Sequence, residues 1–450
     1  MDIGRLLVTL PRKIGPQSRL LFRDPKRFIE NLDDLIHPER LQQKMLGLEE
    51  MRPMHVRIDG GNTATPHLNV LLPALGRRLT GGPNTAINIA IHMAEAGIPV
   101  RLLVTDDGVP ADTNALWCHI TSITGQGQAR PNITFGSTAD PASPAALGAR
   151  DVFLATYWTT AFRLKSVLPS MQVKEFIYLI QDFEPALYPW SSRYAQALET
   201  YSMRFRALIN ERFLADHMTE NRIGRFADPG FISRCAVFEP AVDRRLFYPV
   251  ETTGSPRQLL FYARPSEFRN LYGIGLEALR AATSHPLFAD GNWTFVAIGA
   301  SESRGKSGTF GTALGGRVAL SAVRFLHAAP WLTYEGYARM IRESDILLSL
   351  MLSPHTSYPV LEMAACGKIA VTNTFGSKTE ERLTTISTNI IAVSPTVEAV
   401  RDGLIGAAAR LASGSTASTD IALPSDWHTA LRDTVVATRE MFREAVQAEL

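Results

Sequence analysis

The stretch Leu347–Asn373, LLSLMLSPHTSYPVLEMAACGKIAVTN, decides the expected fold of this chain. Its apolar start predicts a buried strand over Ile346–Leu352, followed by a polar loop over Ser353–Ser357. Pro359 favours the first turn of a helix, which should end at Gly367. A strand that runs into a helix through a short polar loop is typical of an α/β sheet.

Glu362 is an acid inside an otherwise apolar helix, next to Leu361 and Met363. A carboxylate near a desolvated strand-helix junction needs a polar partner. Glu362 could accept paired hydrogen bonds from a sugar diol, while the free N–H groups of the first helical turn attract an anion. Alternatively, Glu362 is a solvated acid that stabilises the helix start by about 0.3–1 kcal/mol. Spacing alone leaves both interpretations open.

Length and composition indicate a globular protein of two domains. The chain has 450 residues, of which 45% are hydrophobic, and a net charge of +2, which gives no general attraction to nucleic acid. Cys118, Cys235 and Cys366 lack the spacing of a metal site or a disulfide framework, as in a reducing compartment. No apolar run approaches the roughly 20 residues that span a bilayer, and no signal peptide is evident. We therefore expect a cytoplasmic protein.

Residues 1–65 differ from the rest and predict a basic helical extension followed by a linker. Residues 1–28 mix lysine and arginine with leucine and phenylalanine, with only two aspartates. Such a segment could lie on the anionic inner face of a membrane as a peripheral contact. It could equally pack on the rest of the protein as a helical extension.

Residues 66–250 are expected to form the first α/β domain. A strand over His67–Leu75 leads through Gly81 and Gly82 into a helix over Thr85–Glu95. Glycine allows the backbone to approach a phosphate at a helix start, although most such pairs are only turns. The chain contains no G-x-G-x-x-G sequence after this strand, which counts against a nicotinamide dehydrogenase.

Further apolar runs predict buried parallel strands of the same sheet, and polar residues such as Asn210 and Glu211 follow their carboxyl ends. Ligands bind beyond these strand ends in open α/β sheets. The predicted strands are Val100–Thr105, Asp151–Thr156, Glu175–Ile180 and Arg206–Ile209.

The segment Gln181–Trp190, QDFEPALYPW, is a candidate acceptor site. Asp182 and Glu184 could bind sugar hydroxyls, while Trp190 covers an apolar sugar face. Trp158, at another strand end, points to the same cleft by topology. The alternative is a structural loop that caps the next helix.

Residues 251–424 predict a second α/β domain, with a final helix in residues 425–450. Arg264 and Arg269 follow its first strand at a spacing that suits a diphosphate, because arginine binds planar oxygens in pairs and stays charged. Two loop arginines can also be surface ion-pair partners. Gly299 and His327 end later strands, where they could line a nucleotide pocket or serve only packing and turns.

These residues carry a resemblance. SPHTSYPVLEMAACGKIAVTN resembles the donor-site signature of GT-B glycosyltransferases of glycosyltransferase family 4, and ARPSEFRN resembles the basic element of that family. The resemblance implies two Rossmann-like domains with parallel sheets facing across a cleft, and a last helix that crosses back to the first domain. It also implies that Glu362 binds the nucleotide ribose and that Arg264 and Arg269 neutralise the leaving diphosphate. The Gly81–Gly82 loop would reach the same diphosphate.

The sequence departs from the family signature at one position. A second glutamate usually stands eight positions before Glu362, where this chain has Pro354. The local candidates to hold the transferred sugar are His355 and Thr356, and Ser357 and Tyr358 complete the expected donor-binding loop.

The combination of QDFEP with SPHTSYPVLEMA looks most like bacterial rhamnosyltransferases that build cell-surface glycans. It implies transfer of L-rhamnose from dTDP-L-rhamnose, with retained configuration and without a metal or other cofactor, onto a glycan or lipid-linked glycan. The alternatives are a nucleotide-sugar epimerase and a catalytically silent GT-B scaffold that binds nucleotide or glycan.

Overall fold

The structure of the chain is a computed structural model. It describes residues 52–60, 65–75, 81–110, 112–124, 131–250, 256–299, 317–330, 332–414, 418–419 and 421–447.

The first half of the described chain alternates strands with helices. Its strands are β1 (Val56–Asp59), β2 (Leu68–Leu72), β3 (Val100–Val104), β4 (Ile133–Ser137), β5 (Ala145–Gly148), β6 (Val152–Ala155), β7 (Phe176–Ile180), β8 (Phe205–Asn210) and β9 (Ala236–Phe238). Its helices are α1 (Gly82–Glu95), α2 (Thr113–Thr124), α3 (Trp158–Val167), α4 (Ser192–Thr200) and α5 (Arg212–Glu220). Within the described residues, seven strands form one parallel sheet in the order β4-β3-β2-β6-β7-β8-β9.

The second half repeats this plan. Its strands are β10 (Arg257–Tyr262), β11 (Trp293–Ile298), β12 (Arg317–Ala319), β13 (Phe325–Ala328), β14 (Ile346–Leu348), β15 (Ile369–Asn373) and β16 (Ile390–Val393). Its helices are α6 (Tyr272–Ala282), α7 (Pro286–Ala289), α8 (Tyr334–Glu343), α9 (Tyr358–Ala365), α10 (Glu380–Ile386), α11 (Val397–Ala412) and α12 (Trp427–Gln447). The sheet order in this part of the structure is β12-β13-β11-β10-β14-β15-β16, with the edge strand β12 antiparallel.

The central strands are apolar throughout because helices cover both faces of each sheet. All residues of β2, LNVLL, and of β7, FIYLI, are buried. The two faces of the first sheet belong to separate apolar clusters, one around Leu68 and Val70 and the other around Leu71 and Phe153. The second sheet likewise separates two clusters. Each domain therefore has its own core.

One part of the predicted N-terminal extension is not helical. Val56–Asp59 forms β1, which pairs in parallel with β5 from Val56 opposite Ala145 to Asp59 opposite Gly148. The alternating sequence VRID suits a strand with one buried side, and the structure shows alternating exposure along it. Residues 1–51, including the candidate membrane segment 1–28, lie outside the described residues.

The last helix, α12, packs on the first sheet domain. Leu431, Met441, Phe442 and Ala445 are buried in the apolar cluster of that domain, together with residues of β2 and α1. Arg206 of β8 pairs with Glu444 of this helix. Helix α12 therefore contributes side chains to the core of the first domain.

None of the described helices combines the length and the apolar character needed to cross a membrane.

Candidate active site

The carboxyl ends of strands from both sheets meet in a cleft with polar walls. Asn210, the last residue of β8, donates from Nδ2 to the Tyr358 hydroxyl at the start of α9, over 2.9 Å. Next to it, the backbone N–H and the hydroxyl of Thr356 both donate to Glu211 Oε1, over 2.8 and 2.5 Å. The loop that the sequence assigns to donor binding thus faces the first domain directly.

Glu362 is buried in α9 and accepts a hydrogen bond of 2.5 Å from the Tyr337 hydroxyl. Burial raises its pKa to about 7, and the Tyr337 bond only partly opposes this shift. The protein therefore buries an acid at a cost in free energy, and the Tyr337 hydroxyl donates a hydrogen bond to it. Such an environment is common among residues that bind or transform a ligand.

Arg264 and Glu362 share a neighbour. Burial raises the pKa of Tyr262, the nearby positive charge of Arg264 opposes this effect, and the charge of Glu362 adds to it. Gly299 borders the same ring, since a Cβ atom there would lie 2.7 Å from Tyr262 Cε2. Arg264, Glu362 and Gly299, which the sequence assigns to donor binding or catalysis, therefore surround one tyrosine.

The two predicted cations differ in their surroundings. The Arg264 side chain is 34% exposed and lies 3.3 Å from Glu267, so it is partly accessible to solvent. Arg269 is more buried and pairs with Asp182 of the first domain, which also accepts a 2.6 Å hydrogen bond from Ser353. Burial lowers the pKa of Arg269 to about 10, so it stays positively charged at neutral pH. The carboxylate of Asp182 thus pairs with Arg269, the cation that the sequence assigns to a diphosphate.

Two helix starts from opposite domains converge in the cleft. Gly81, with φ +58°, precedes α1, and Ser357 precedes α9, and neither helix has a side-chain cap on its first turn. Thr85 of α1 lies beside the Tyr358 hydroxyl at the start of α9. Uncapped N–H groups carry partial positive charge, so this place suits an anion such as a diphosphate.

Gly82 is placed against the acceptor segment. A Cβ atom at Gly82 would lie 3.1 Å from Gln181 Nε2, which shows how closely the glycine loop approaches the end of β7. The Ser357 hydroxyl contacts Ser349 at 3.1 Å, inside the second domain. Gly82 therefore lies against the end of β7, whereas the Ser357 side chain is held inside the second domain.

The acceptor candidates occupy different depths. Trp158 is fully buried, and its indole N–H donates to the Tyr188 hydroxyl over 3.0 Å. Glu184 is also buried, and it accepts a hydrogen bond of 3.3 Å from Tyr178. A direct contact of Trp158 with an acceptor, as the sequence predicts, would require Tyr188 to move.

Trp190, by contrast, is 93% exposed and stacks on Tyr194 with the ring centres 6.1 Å apart. An exposed aromatic pair can cover the apolar face of a sugar. Of the predicted acceptor residues, Asp182 lies in the cleft and Trp190 on the surface.

His327 is exposed in β13, which is separated from the strand of Arg264 by β11. Its role in donor binding stays a prediction.

Two buried residues of the cleft, Glu211 and Lys378, carry ionisable side chains. Sequence reasoning named Glu211 only as a polar residue at a strand end, and it did not name Lys378. Glu211 follows β8 in a backbone conformation with φ +90°, which residues other than glycine rarely adopt. Lys378 is buried, and its ammonium donates to the backbone carbonyl of Met351 over 2.9 Å. The position of Glu211 at a strand end was a usable signal, whereas the burial of Lys378 has no local signature.

No group of three or more His, Cys, Asp or Glu side chains that could hold a metal ion occurs in the described parts of the chain.

Comparison with solved structures defines the fold class. The structure is similar to sucrose-phosphate synthase from Thermosynechococcus elongatus, with a TM-score of 0.54 and 11% identity over 85% of this chain and 100% of that one. It is also similar to Anabaena Alr3699/HepE in complex with UDP-glucose, with a TM-score of 0.52 and 11% identity over 85% of this chain and 99% of that one. These likenesses show the fold alone. They confirm the predicted GT-B fold of two facing α/β domains.

Comparison with family models is more specific. Residues 67–210 match the model of the WsaF N-terminal domain, and residues 257–405 match that of the WsaF C-terminal domain. Over these two segments, which together make up more than half of its length, the chain belongs to the WsaF family. The predicted membership of glycosyltransferase family 4 stays a prediction.

A curated relative also matches. The chain is 31% identical to the O-antigen biosynthesis protein RfbC of Myxococcus xanthus over 289 residues, which are 62% of this chain and 20% of RfbC. The match thus spans one fifth of the relative.

Proposed function

We propose that this protein is a glycosyltransferase of cell-surface polysaccharide synthesis. In our proposal it moves L-rhamnose from dTDP-L-rhamnose, with retained configuration, onto a hydroxyl of a glycan or lipid-linked glycan. The WsaF domains and the name of the relative, an O-antigen biosynthesis protein, support the class of reaction. The choice of rhamnose and of dTDP rests on the sequence resemblance.

One observation carries the proposal. Two uncapped helix starts from opposite domains meet at Thr85 and Tyr358, and the acid Glu362 lies close enough to act on the pKa of Tyr358. An anion-binding place beside a buried acid matches a nucleotide sugar, whose diphosphate is negative and whose ribose offers a diol. Anabaena Alr3699/HepE, which shares this fold, was solved with UDP-glucose.

In this mechanism Glu362 holds the ribose, and Arg264, Arg269 and the helix starts face the diphosphate. As the bond between the anomeric carbon and the phosphate oxygen breaks, negative charge grows on that oxygen. Fixed positive groups then stabilise the transition state more than the ground state, and no metal ion is needed. The acceptor oxygen bonds to the anomeric carbon on the same face, and its proton passes to the leaving phosphate oxygen.

The proposal is tested by incubating purified full-length protein with a panel of nucleotide sugars, with and without a rhamnose-terminated glycan. A transferase releases nucleoside diphosphate and increases the glycan mass only when both substrates are present, and EDTA should not abolish the reaction. A changed donor sugar without acceptor would indicate an epimerase. Binding without any turnover would indicate a silent scaffold.

The leaving-group role predicts that Arg264→Ala lowers turnover at least tenfold, which corresponds to about 1.4 kcal/mol of transition-state stabilisation. Arg280→Ala is a matched control, because Arg280 pairs with Glu277 as Arg264 pairs with Glu267, but lies on α6. The control should retain turnover within about twofold. A loss below tenfold in Arg264→Ala would disprove the role of Arg264.

A further inference from the structure

Glu211 adopts a conformation that its side chain does not favour. Its backbone has φ +90° and ψ +134°, at the junction between β8 and α5. This region is accessible to glycine but costly for other residues, and such strain is concentrated at functional sites. Glu211 thus has an unfavourable backbone conformation at the point where its side chain reaches Thr356 across the cleft.

The two oxygens of Glu211 have different environments. Oε1 accepts both hydrogen bonds from Thr356, whereas Oε2 has no hydrogen-bond partner among the described residues. Oε2 lies 3.4 Å from His355 Nε2, which also lacks a hydrogen-bond partner there. Both side chains are more than nine-tenths buried. Buried polar atoms are rarely left without partners, so both atoms keep an unused capacity for hydrogen bonds.

A buried cation completes the cluster. Lys378 uses its ammonium for one bond, to the Met351 carbonyl, and ammonium groups can donate three. Its charge and that of Arg269 both act on His355, so these groups are close neighbours. Burial raises the pKa of Glu211 and lowers the pKa of His355 and of Lys378. Burial thus disfavours the charged form of each of these groups. Groups with such perturbed pKa values are concentrated at functional sites, which favours a functional reason for the cluster.

The cluster lies between the cation Arg269 and the start of α9. In the proposed function the diphosphate binds at these two places, so the sugar attached to it would lie next to the cluster. The loop Ser353–Ser357 itself contains no acid. A carboxylate can reach this loop only from another segment, and Glu211 of the first domain does so.

We propose that Glu211, assisted by His355 and Lys378, binds hydroxyl groups of the sugar that is transferred. The carboxyl group of Glu211 forms a hydrogen bond with a sugar hydroxyl, and the side-chain nitrogen of Lys378 donates one to a second hydroxyl. This inference rests on the proposed function and adds a sugar-binding site to it. If Glu211 only joined the two domains, it would need only Oε1. That role would not explain why Glu211 Oε2 and His355 Nε2 lack hydrogen-bond partners.

The test is Glu211→Gln, because the amide oxygen can still accept both hydrogen bonds from Thr356. We expect kcat/KM for transfer to fall at least tenfold, while the affinity for free dTDP and UDP, measured by calorimetry, changes less than twofold. The unfolding midpoint should stay within about 2 °C of the wild type. Glu239→Gln is the matched control, since this acid lies close enough to influence Glu211 but bonds the N–H of Arg212. It should transfer sugar as the wild type does.

Two results would overturn the inference. If Glu211→Gln transferred sugar within threefold of the wild type, Glu211 would not bind the sugar. If its affinity for free nucleotide fell as much as its transfer, the residue would only shape the loop.

The calorimetric ratio of affinities for dTDP-L-rhamnose and dTDP separates the inference from the proposed function. If the wild type bound the sugar moiety but transferred nothing, only the function would fail, and Glu211→Gln should still lower the ratio. If the wild type showed neither transfer nor a sugar-dependent affinity, both would fail.

Backbone strain offers a second measurement that does not depend on turnover. Glu211→Gly and Glu211→Ala both remove the carboxylate, but only glycine relieves the positive φ. We expect the glycine variant to unfold at a temperature at least about 2 °C above the alanine variant. Both should lose sugar transfer to the same degree. Equal stability of the two variants would contradict the strain argument.

Discussion

Among the described residues, burial raises the pKa of the acids Glu184, Glu211 and Glu362 above the usual 4.5, to about 8, 8 and 7. A raised pKa means that the folded protein holds a proton that the unfolded chain has already released. The folded state is therefore favoured at low pH, and these acids reduce stability as the pH rises through this window. Glu184 is the clearest test, because it lies wholly inside the first domain.

We predict that Glu184→Gln becomes more stable relative to the wild type as the pH is raised from about 5 to 8. Glutamine does not titrate. The variant therefore avoids the decrease in the free energy of unfolding, up to about 1.4 kcal/mol per pH unit, that ionisation of the buried acid causes. Urea unfolding at pH 5.5 and 7.5 measures the difference. Glu199→Gln, on the exposed surface of α4, should change stability by less than about 0.5 kcal/mol at both values. Parallel pH profiles of Glu184→Gln and the wild type would contradict the prediction.

At the scale of an element, α6 shows how close packing places a site residue. Gly275 of α6 lies against Phe261 of β10, and a Cβ atom there would be 2.5 Å from the ring. β10 ends at Tyr262, and Arg264 follows two residues later. The packing of α6 on β10 therefore helps to position Arg264. Gly273 is in the same helix, but a Cβ atom there would have nothing within 4 Å.

We therefore predict opposite outcomes for two alanine substitutions in α6. Gly275→Ala should lower the free energy of unfolding by roughly 1–3 kcal/mol, because the methyl group overlaps the Phe261 ring. Gly273→Ala should be neutral or stabilise by up to about 1 kcal/mol, because alanine favours helix more than glycine does. Chemical denaturation measures both. If the two variants were equally stable, the close approach of helix and strand would be wrong.

The sequence predicts elements well where the pattern is local. The apolar runs predict β3, β6, β7 and β8 to within a residue or two, because a strand covered on both faces needs an unbroken apolar segment. The predictions did not include β1, β4, β5, β9 or the edge strand β12. These are short and partly exposed, and their pairing depends on distant residues.

At the scale of the whole molecule, contacts between the domains involve the candidate site itself. Asp182 reaches Arg269, Asn210 reaches Tyr358, and Glu211 reaches Thr356. A substrate that binds these groups must therefore compete with or extend the contacts that join the domains. Binding and closure of the cleft should be coupled for this reason.

The final helix makes a separate prediction at this scale. Leu431→Ala in α12 should lower the free energy of unfolding of the first domain by about 2–5 kcal/mol, because this fully buried side chain fills the core of that domain. Val436→Ala, in the same helix but 50% exposed, should change it by less than about 0.5 kcal/mol. Hydrogen exchange would locate the effect in β2 and β3.

If hydrogen exchange in Leu431→Ala became faster only in the second domain, α12 would not stabilise the first domain.

The sequence by itself determined the two α/β domains and a set of candidate residues at strand ends and helix starts. These features depend on near neighbours: apolar runs bury strands, and glycine or proline marks turns. Arg264, Glu362 and Gly299, predicted separately, are brought together around Tyr262.

Only the tertiary structure decided which of these groups are partners. The pairing of Asp182 with Arg269 and of Glu211 with Thr356 joins residues 87 and 145 positions apart. The burial of Trp158 under Tyr188 and of Lys378 in the cleft likewise depends on how distant segments pack. Such contacts leave no periodic trace in the sequence, because they arise only when segments far apart in the chain pack against each other.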